Sequence, residues 1–480
     1  MLWVALELPA LPLQLLERAR AISAPLVVTE GPAQRPTVAF ANALARAAGV
    51  REGTAVAAAR ALCDTLACVA RNPTSEREAL ERLAGWALQF TPAVSVEPTG
   101  IALEVESSTR LFGGFASLLS LVRSGVRTLG FEASVGVAPT PLAARVLARA
   151  HARSLPARGC MSIDALPERL GELPLFLLEW SGETLQRLAD LGIVRVKDAL
   201  ALPRAGFSRR FGPEALLRLD QLTGHVPDPR KPHEPPTCFR ARLELSAEAE
   251  GVEAILFPLK RLLAEMEGTL RGQGAGVQEV ALVLEQGRRH ERVNLAFATP
   301  EREANFILAI AREQLCWLQI KAPVTALRLV AEQLYPFMPR NESWLPGREE
   351  QAVGRARLVE KLSARLGGGR VFGIALADDH RPERGWQHAS SGVPSVRFDG
   401  GPRPAWLLNR PQKLIAREGV PWLQGELALL AGPERIETGW WDGEAVQRDY
   451  YVAANPAGER LWVYRERREA SAWFLHGVFA

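Results

Sequence analysis

Hydrophobic and polar positions divide the first 150 residues of the chain into short strands and amphipathic helices. The apolar run at residues 2–8 predicts a buried strand, and residues 115–128 predict a long helix with one apolar face. If an insertion at about residues 23–75 is set aside, the predicted order is β, α, β, β, α, β. This is the split βαβ arrangement of a ferredoxin-like sheet, a fold that hosts many unrelated functions.

The other elements predicted in this region follow from the same periodicities and from glycine and proline boundaries. They are helices at residues 12–22, 42–48, 56–62, 75–90 and 141–153, and strands at residues 26–28, 37–40, 94–96, 101–105 and 132–137.

Residues 166–226 predict a domain of short helices that are interrupted by glycine and proline. The string from Leu188 to Ile193 is typical of a helix, a tight turn at Gly192 and a second helix. Such a hairpin can present backbone N–H groups to a nucleic-acid phosphate. A plain αα-hairpin inside a helical domain fits the same residues.

A second βαββαβ pattern follows a proline-rich linker at residues 227–236 and occupies residues 237–333. The turn between its second and third strands carries Arg288 and Arg289, and Arg292 follows in the third strand. These arginines predict either a basic tip that contacts nucleic-acid phosphates or an ordinary solvated hairpin.

The last third of the chain predicts a helix at residues 349–366, a mixed stretch to residue 400 and a small β-rich domain at residues 401–480. The acidic run Asp378–Glu383 contains possible metal ligands, but Pro382 and the lack of a supporting framework favour a solvated loop. Tryptophans concentrated in the final domain are either core residues or anchors for a partner. They are Trp406, Trp422, Trp440, Trp441, Trp462 and Trp473.

Composition limits the possible classes of protein. A chain of 480 residues exceeds the size of a single core, about 250–300 residues, so several domains are expected. The net charge of +4 is small, and nucleic-acid binding would therefore depend on local basic patches. Five scattered cysteines without a CxxC pair argue against zinc sites and a disulfide framework. No run of about 18 apolar residues is present, and we expect a soluble, cytoplasmic protein without a membrane span.

Three segments resemble the Y-family of translesion DNA polymerases. Residues 38–50 resemble the fingers motif, in which a Tyr and an Arg hold the incoming triphosphate; Ala43 replaces the Tyr and Arg46 keeps the Arg. Residues 134–145 resemble the palm stretch that ends near the phosphates, where Arg145 matches a Lys. The third segment is the helical hairpin around Gly192. The resemblance implies palm and fingers at residues 1–165, a thumb at 166–226 and a little finger at 237–333.

The same resemblance locates a catalytic centre with most of its carboxylates missing. The two aspartates of the family's first strand fall on Ala5 and Glu7. The Asp-Glu pair of the palm hairpin falls on Thr99 and Gly100 in one alignment and on Glu97 and Pro98 in another. Nucleotidyl transfer uses two Mg²⁺ ions about 3.5–4 Å apart, held by oxygen ligands. We therefore expect a polymerase shape without polymerase chemistry and without a cofactor.

An active enzyme remains the alternative. It would be a translesion polymerase whose Mg²⁺ ligands have moved to Glu7, Glu97 and Glu104. A repair nuclease that shares only the helical hairpin has no acidic cluster to support it.

Motifs in the C-terminal third resemble the catalytically inactive Y-family branch of a bacterial mutagenesis cassette; they lie at residues 378–383, 432–443 and 473–480. The resemblance implies four partners: primer–template DNA, the β sliding clamp, a RecA-like ImuA protein and an error-prone C-family DNA polymerase. A clamp-binding motif is predicted at Gln333, Leu334, Tyr335 and Phe337, with Pro336 at a position where Leu is usual. An ordinary strand end with buried Leu334 and Phe337 is the alternative.

Overall fold

The computed structural model describes residues 1–18, 24–320, 322–338, 348–389, 401–468 and 472–479. They form two compact units, Met1–Arg348 and Glu349–Ala480, and each is described by itself. The domain boundaries predicted inside these units are finer than this division and stay predictions.

The first 153 residues contain the palm and the fingers. Their elements are β1 (Trp3–Glu7), α1 (Leu11–Glu17), β2 (Leu26–Glu30), β3 (Thr37–Ala41), α2 (Ala43–Ala47), α3 (Val56–Leu62), β4 (Ala67–Ala70), α4 (Pro73–Ala87), β5 (Val94–Glu97), β6 (Gly100–Glu104), α5 (Phe115–Thr128), β7 (Ser134–Ala138) and α6 (Pro141–Ala152).

The palm sheet has the strand order β5-β6-β1-β7, and its neighbouring strands are antiparallel. This order is that of a ferredoxin-like βαββαβ unit, which confirms the predicted fold. Alternate residues of β1 face opposite sides of the sheet. Val4 and Leu6 pack with α4 and α5, whereas Trp3 and Ala5 belong to the core formed with α6 and the helices that follow.

The fingers contain a small sheet of order β3-β2-β4, in which β4 is parallel to β2. The sequence pattern did not predict β4, because its four residues are mostly exposed and carry no alternation. The predicted helix at residues 12–22 ends at Glu17 in the structure, and the positions from 19 to 23 lie outside the described residues.

The thumb is helical and is built from short elements. They are α7 (Leu166–Gly171), α8 (Gly182–Ala189), α9 (Val196–Leu200), α10 (Arg204–Phe211) and α11 (Pro213–Thr223). Between α8 and α9 the chain turns at Gly192, whose φ is +78°. The N–H of Ile193 donates to the carbonyl of Leu188 at 3.0 Å, which ends the first helix. The predicted helical hairpin is therefore present.

The little finger contains β8 (Phe239–Ala249), α12 (Val252–Gly272), β9 (Ala275–Gln286), β10 (Arg289–Glu301), α13 (Ala304–Trp317), β11 (Val324–Ala331) and β12 (Tyr335–Pro336). The βαββαβ element order is as predicted. The strand order is β10-β9-β11-β8, so the first strand lies at an edge, unlike the first strand of the palm, which is internal. Identical element orders therefore produce two different sheets in one chain.

The little finger packs on the palm through α12 and α4. A Cβ on Gly268 would lie 2.1 Å from Cδ1 of Trp86, so this glycine lets the two helices approach closely. Beside this contact Glu265, 2% exposed, accepts from Arg18 at 2.9 Å and from Arg82 at 2.7 Å. An ion-pair cluster centred on a buried carboxylate thus joins the two domains.

The second unit begins with α14 (Arg348–Leu366) and the hairpin β13 (Gly373–Leu376) and β14 (Trp386–Ala389). A six-stranded sheet follows, made of β15 (Trp406–Arg417), β16 (Val420–Trp422), β17 (Ala428–Thr438), β18 (Val446–Ala454), β19 (Arg460–Glu466) and β20 (Trp473–Val478). Two clusters of buried side chains include alternate residues of β19: Leu461 and Val463 belong to one, and Trp462 and Tyr464 to the other. In the described parts of the chain, no helix has the length and apolar character needed to cross a membrane.

Candidate functional site

The position of the first missing aspartate is closed by packing. Ala5 is 1% exposed and lies between Ala102 of β6 and Gly136 of β7. A Cβ on Gly136 would lie 2.0 Å from the carbonyl oxygen of Ala144, so α6 rests directly on this face of the sheet. A carboxylate at position 5 would enter an apolar core.

The palm hairpin supplies one carboxylate. Glu97 ends β5 and pairs with Gly100, and Gly100 pairs on its other side with Glu7. A Cβ on Gly100 would lie 1.9 Å from the carbonyl oxygen of Leu6, which leaves no space for a side chain. Thr99 donates its hydroxyl to Oε1 of Glu7. Two glutamates, Glu7 and Glu97, therefore remain near the turn.

Both glutamates are buried and bound to arginines of α6. Arg145 Nη1 lies 2.8 Å from Oε2 of Glu97, and Arg149 Nε lies 3.2 Å from Oε1 of Glu7. The four residues are 3–5% exposed. Hydrogen bonds to a charged partner are the stronger kind, and at this depth they are shielded from water. The acidic groups are thus neutralised by side chains of the same domain.

The thumb and the linker complete this ion-pair cluster. Glu179, which follows a short turn of the thumb, binds Arg149, Arg145 and Arg218. Burial alone raises the pKa of Glu179, but the hydrogen bond and charge of Arg149 outweigh it and the pKa lies below its ordinary value. Arg230 of the linker donates to Glu97 at 3.1 Å. We call these residues the palm cluster: Glu7, Glu97, Arg145, Arg149, Glu179, Arg218 and Arg230.

The palm cluster corrects the role predicted for Arg145. The resemblance made it a triphosphate ligand, but its guanidinium is buried and bound to Glu97. Arg46, the other residue predicted for this role, is exposed near the end of α2. Ala43 is the first residue of the same helix and is also exposed, with Asn42 as the N-cap. Of the two arginines predicted to bind a triphosphate, Arg46 is therefore the one with an exposed side chain that could reach a phosphate.

The residues present do not fit two Mg²⁺ ions. Divalent magnesium requires near-octahedral oxygen ligands, and Glu7 and Glu97 already bind arginines. Glu104 is the third ligand that an active enzyme with relocated ligands would use. It lies four residues after Gly100 in β6, pairs with Trp3, and accepts a hydrogen bond from the N–H of Leu2. Within the described ranges, no group of three or more His, Cys, Asp or Glu side chains is arranged to hold a metal ion.

Sequence reasoning missed Arg149, Glu179, Arg218 and Arg230. One signal was available for Arg149. It lies four residues after Arg145 in the same helix, so both arginines share the face that packs on the sheet. The thumb and linker residues carried no such signal, because their contacts with the palm are set by tertiary packing.

The predicted DNA-contacting arginines lie on one hairpin: Arg288 and Arg289 at its turn, and Arg292 three residues further along β10. Gly287, with φ +62°, and Arg288 form the turn between β9 and β10. Arg288, Arg289 and Arg292 are exposed, and Arg292 Nε donates to Asn294 at 2.8 Å. Exposed cationic side chains on a hairpin can contact phosphates without further rearrangement.

The predicted clamp motif lies at the end of the little finger. Gln333 is exposed, and Leu334, Tyr335 and Phe337 are half-buried. Tyr335 and Pro336 form the short strand β12, which pairs with the start of β9. The structure therefore places the motif against the domain.

The run Asp378–Glu383 is largely the solvated loop that the sequence favoured, because Asp378, His380 and Glu383 are exposed. Its exception is Arg381. Arg381 is 2% exposed and binds Asp379 at 2.7 Å and Asp442 at 2.6 Å. Hydrogen bonds from Arg381 lower the pKa of Asp442 to about 2. The loop is ordered because a buried guanidinium needs partners for its donors, and the two aspartates supply them.

The C-terminal tryptophans divide into buried and exposed residues. Trp462 and Trp473 are core residues, 2% and 4% exposed. Trp440 and Trp441 are 79% and 56% exposed and contact each other edge to face, with ring centroids 5.5 Å apart. Trp406 is exposed as well, and Trp422 is half-buried.

The chain is similar to several known proteins. The model of the impB/mucB/samB family matches residues 12–149. Protein ImuB of Caulobacter vibrioides is 27% identical over 464 residues, which cover 90% of this chain and 100% of that protein. DNA polymerase IV 2 of Mesorhizobium japonicum is 32% identical over 196 residues, 39% of this chain and 45% of that protein. A solved ternary complex of Dbh DNA polymerase aligns with 70% of this chain and 99% of its own, at 17% identity and a TM-score of 0.40.

The chain is a homologue of the Y-family DNA polymerases. The match to Protein ImuB extends beyond the polymerase-like region into the C-terminal third. Within the Y-family it is therefore an ImuB-type homologue, as the C-terminal motifs predicted.

Proposed function

We propose that this chain is a non-catalytic, DNA-binding adaptor in DNA damage-induced mutagenesis and translesion synthesis. Homology to Protein ImuB and the match to the impB/mucB/samB family support the mutagenesis role. The adaptor would connect primer–template DNA, the β sliding clamp, a RecA-like ImuA protein and an error-prone C-family polymerase.

The observation that carries the non-catalytic role is the pairing of Glu7 with Arg149 and of Glu97 with Arg145. A metal ion could use these carboxylates only by displacing two buried guanidinium groups, which would then have to share Glu179 as their remaining carboxylate partner. An unpaired buried charge costs several kcal/mol, roughly 3–5. Together with Ala5, which has no ligand atom, this arrangement opposes metal-dependent nucleotidyl transfer.

Primer extension tests the proposal. The full chain is incubated with a primed template, all four deoxynucleotides and Mg²⁺ or Mn²⁺, and DNA binding is measured in parallel. We expect binding without extension. The competing enzyme with relocated ligands would extend the primer and would lose that activity in Glu7→Ala, and this result would overturn the proposal.

DNA contact is assigned to the basic tip at Arg288, Arg289 and Arg292 and to the thumb turn at Gly192. Each phosphate contact contributes about 0.9 to the slope of log affinity against log salt concentration. Replacing the three arginines by alanine should lower that slope by about 2–3 and weaken binding to all sequences alike. Arg312→Ala, on the exposed side of α13, is the matched control and should leave the slope unchanged.

Clamp contact is assigned to Gln333, Leu334, Tyr335 and Phe337. A short extended motif binds through a few apolar anchors and main-chain contacts. Replacing Gln333, Leu334 and Phe337 together by alanine should abolish binding of the full chain to purified β clamp while DNA binding persists. Unchanged clamp binding would remove this assignment.

The second unit is proposed to bind the RecA-like ImuA protein and the error-prone polymerase. The exposed pair Trp440 and Trp441 supports this, because large aromatic side chains on a fixed base are favoured interface anchors. Their base is fixed by Asp442, which binds Arg381 and Arg384.

A further inference from the structure

The segment Gln333–Phe337 is held against the little finger by backbone contacts. Tyr335 and Pro336 pair with Gly276 and Ala275 of β9. The N–H of Phe337 donates to the carbonyl of Gly274 at 2.8 Å. The segment therefore continues the sheet as a short extra strand.

The ring of Phe337 occupies a slot on the same domain. A Cβ on Gly276 would lie 2.9 Å from Cδ2 of Phe337 and 3.0 Å from Cβ of Pro300, so glycine leaves the space that the ring fills. The guanidinium carbon of Arg302 lies 4.0 Å from the ring centroid, a cation–π distance. We call Gly276, Pro300 and Arg302 the Phe337 slot.

A polar group of the same segment also has a partner within the chain. The hydroxyl of Tyr335 donates to Oε1 of Gln333 at 2.7 Å. The glutamine amide and the phenylalanine ring, two groups with which a clamp motif binds, are thus both engaged internally.

We propose that the Phe337 slot and the β clamp compete for Phe337, so that the segment 333–337 exists in a closed, internally bound form that must open before the clamp binds. This inference rests on the proposed clamp contact. The ring cannot lie under Arg302 and in an apolar groove of another protein at once. The measured dissociation constant is then the intrinsic one divided by the fraction of open molecules.

Two unrelated substitutions should open the slot. Arg302→Gln removes the cation above the ring, and Gly276→Ala places a methyl group where the ring now lies. Arg302→Gln should tighten binding of the full chain to purified β clamp by about three- to tenfold, the range expected for loss of one cation–π contact. Gly276→Ala, which crowds the ring sterically, should also tighten binding. Arg312→Gln, on the same domain and distant in sequence from the segment, is the matched control and should leave the affinity unchanged.

Hydrogen exchange measures opening independently of the clamp. In both variants the amide of Phe337 should exchange faster than in the unsubstituted chain, while amides in the middle of β9 stay protected. If exchange at Phe337 does not rise, the slot does not hold the segment and the inference is wrong.

Phe337→Ala separates the inference from the function on which it rests. If Phe337→Ala binds the clamp as well as the unsubstituted chain, the clamp assignment fails and the competition fails with it. If Phe337→Ala abolishes binding but the two slot variants exchange faster without binding more tightly, the clamp contact stands and the competition is refuted.

Discussion

Arg149 donates from Nε to Oε1 of Glu7 at 3.2 Å, from a helix that lies directly on the strand carrying the glutamate. The same guanidinium binds Glu179 of the thumb. One arginine therefore neutralises the last carboxylate of β1 and ties the thumb to the palm.

Because Arg149 has two carboxylate partners, replacing Arg149 should lower the unfolding free energy more than replacing Glu7. Arg149→Met leaves Glu7 and Glu179 without this partner and should cost about 3–5 kcal/mol of unfolding free energy. Glu7→Gln leaves Arg149 bound to Glu179 and should cost about 1–2 kcal/mol. The double variant should cost less than the sum, because the second change removes a charge that has already lost its partner. Urea unfolding followed by circular dichroism measures all three, and strictly additive costs would contradict the pairing.

Restoring an aspartate at position 5 should not restore catalysis. Ala5→Asp introduces a carboxylate into an apolar core beneath α6, where an unpaired charge is costly, so we expect a loss of about 2–4 kcal/mol. Glu7 and Glu97 stay bound to arginines, and primer extension should remain absent with Mg²⁺ or Mn²⁺. Ala5→Asn, of similar size and without charge, is the control. Metal-dependent extension in Ala5→Asp alone would contradict this account of the site.

The contact between palm and little finger should weaken in acid. Burial alone raises the pKa of Glu265, but Arg82 and Arg18 outweigh it and hold the pKa below its ordinary range. A depressed carboxyl pKa stabilises the fold above the unfolded-state pKa, about 4.3 for glutamate, and this stabilisation is lost as the pH falls through the folded-state pKa. The free energy of unfolding of Glu265→Gln should therefore lie well below that of the unsubstituted chain at pH 7, and the difference should shrink below about pH 4. A difference that is independent of pH would refute the role of this charge.

Substitutions of exposed and buried tryptophans in the second unit should have different effects on the unfolding free energy and on partner binding. Trp440→Ala and Trp441→Ala remove exposed rings and should change the unfolding free energy by less than about 0.5 kcal/mol. Binding to a purified RecA-like ImuA protein or error-prone C-family polymerase should fall at least tenfold in the double variant. Trp462→Ala removes a buried ring and should instead cost about 3–5 kcal/mol. Undiminished binding of both partners by the double variant would locate their sites elsewhere.

The palm and the element order of the little finger could be predicted because their strands and helices each have one buried face. The apolar run of β1 and the single stripe of α5 indicate which residues enter the core. The strand order of the little finger could not be predicted, because the same βαββαβ order allows β8 to lie at an edge or in the centre. The exposed strand β4 carried no pattern at all.

The sequence predicted which residue types occupy the candidate site, but not which side chains contact each other there. Ala5 and Ala43 reveal lost ligands because alanine has no oxygen or nitrogen in its side chain. The partners of the surviving groups depend on which helix face meets which strand. That geometry is set by Gly136 and by the approach of the thumb, and it turned Arg145 from an expected triphosphate ligand into a partner of Glu97.

If this chain is non-catalytic, as proposed, the palm cluster would make that state difficult to reverse during evolution. A lineage would have to regain an aspartate at Ala5, remove Arg145 and Arg149, and supply a new hairpin carboxylate. An aspartate at position 5 alone, or removal of Arg149 alone, leaves a buried carboxylate without a cationic partner, and removal of Arg145 alone leaves Glu97 with Arg230 only, so each intermediate should be less stable. Selection for stability would therefore oppose a return, one substitution at a time, to a palm whose carboxylates are free to bind metal ions.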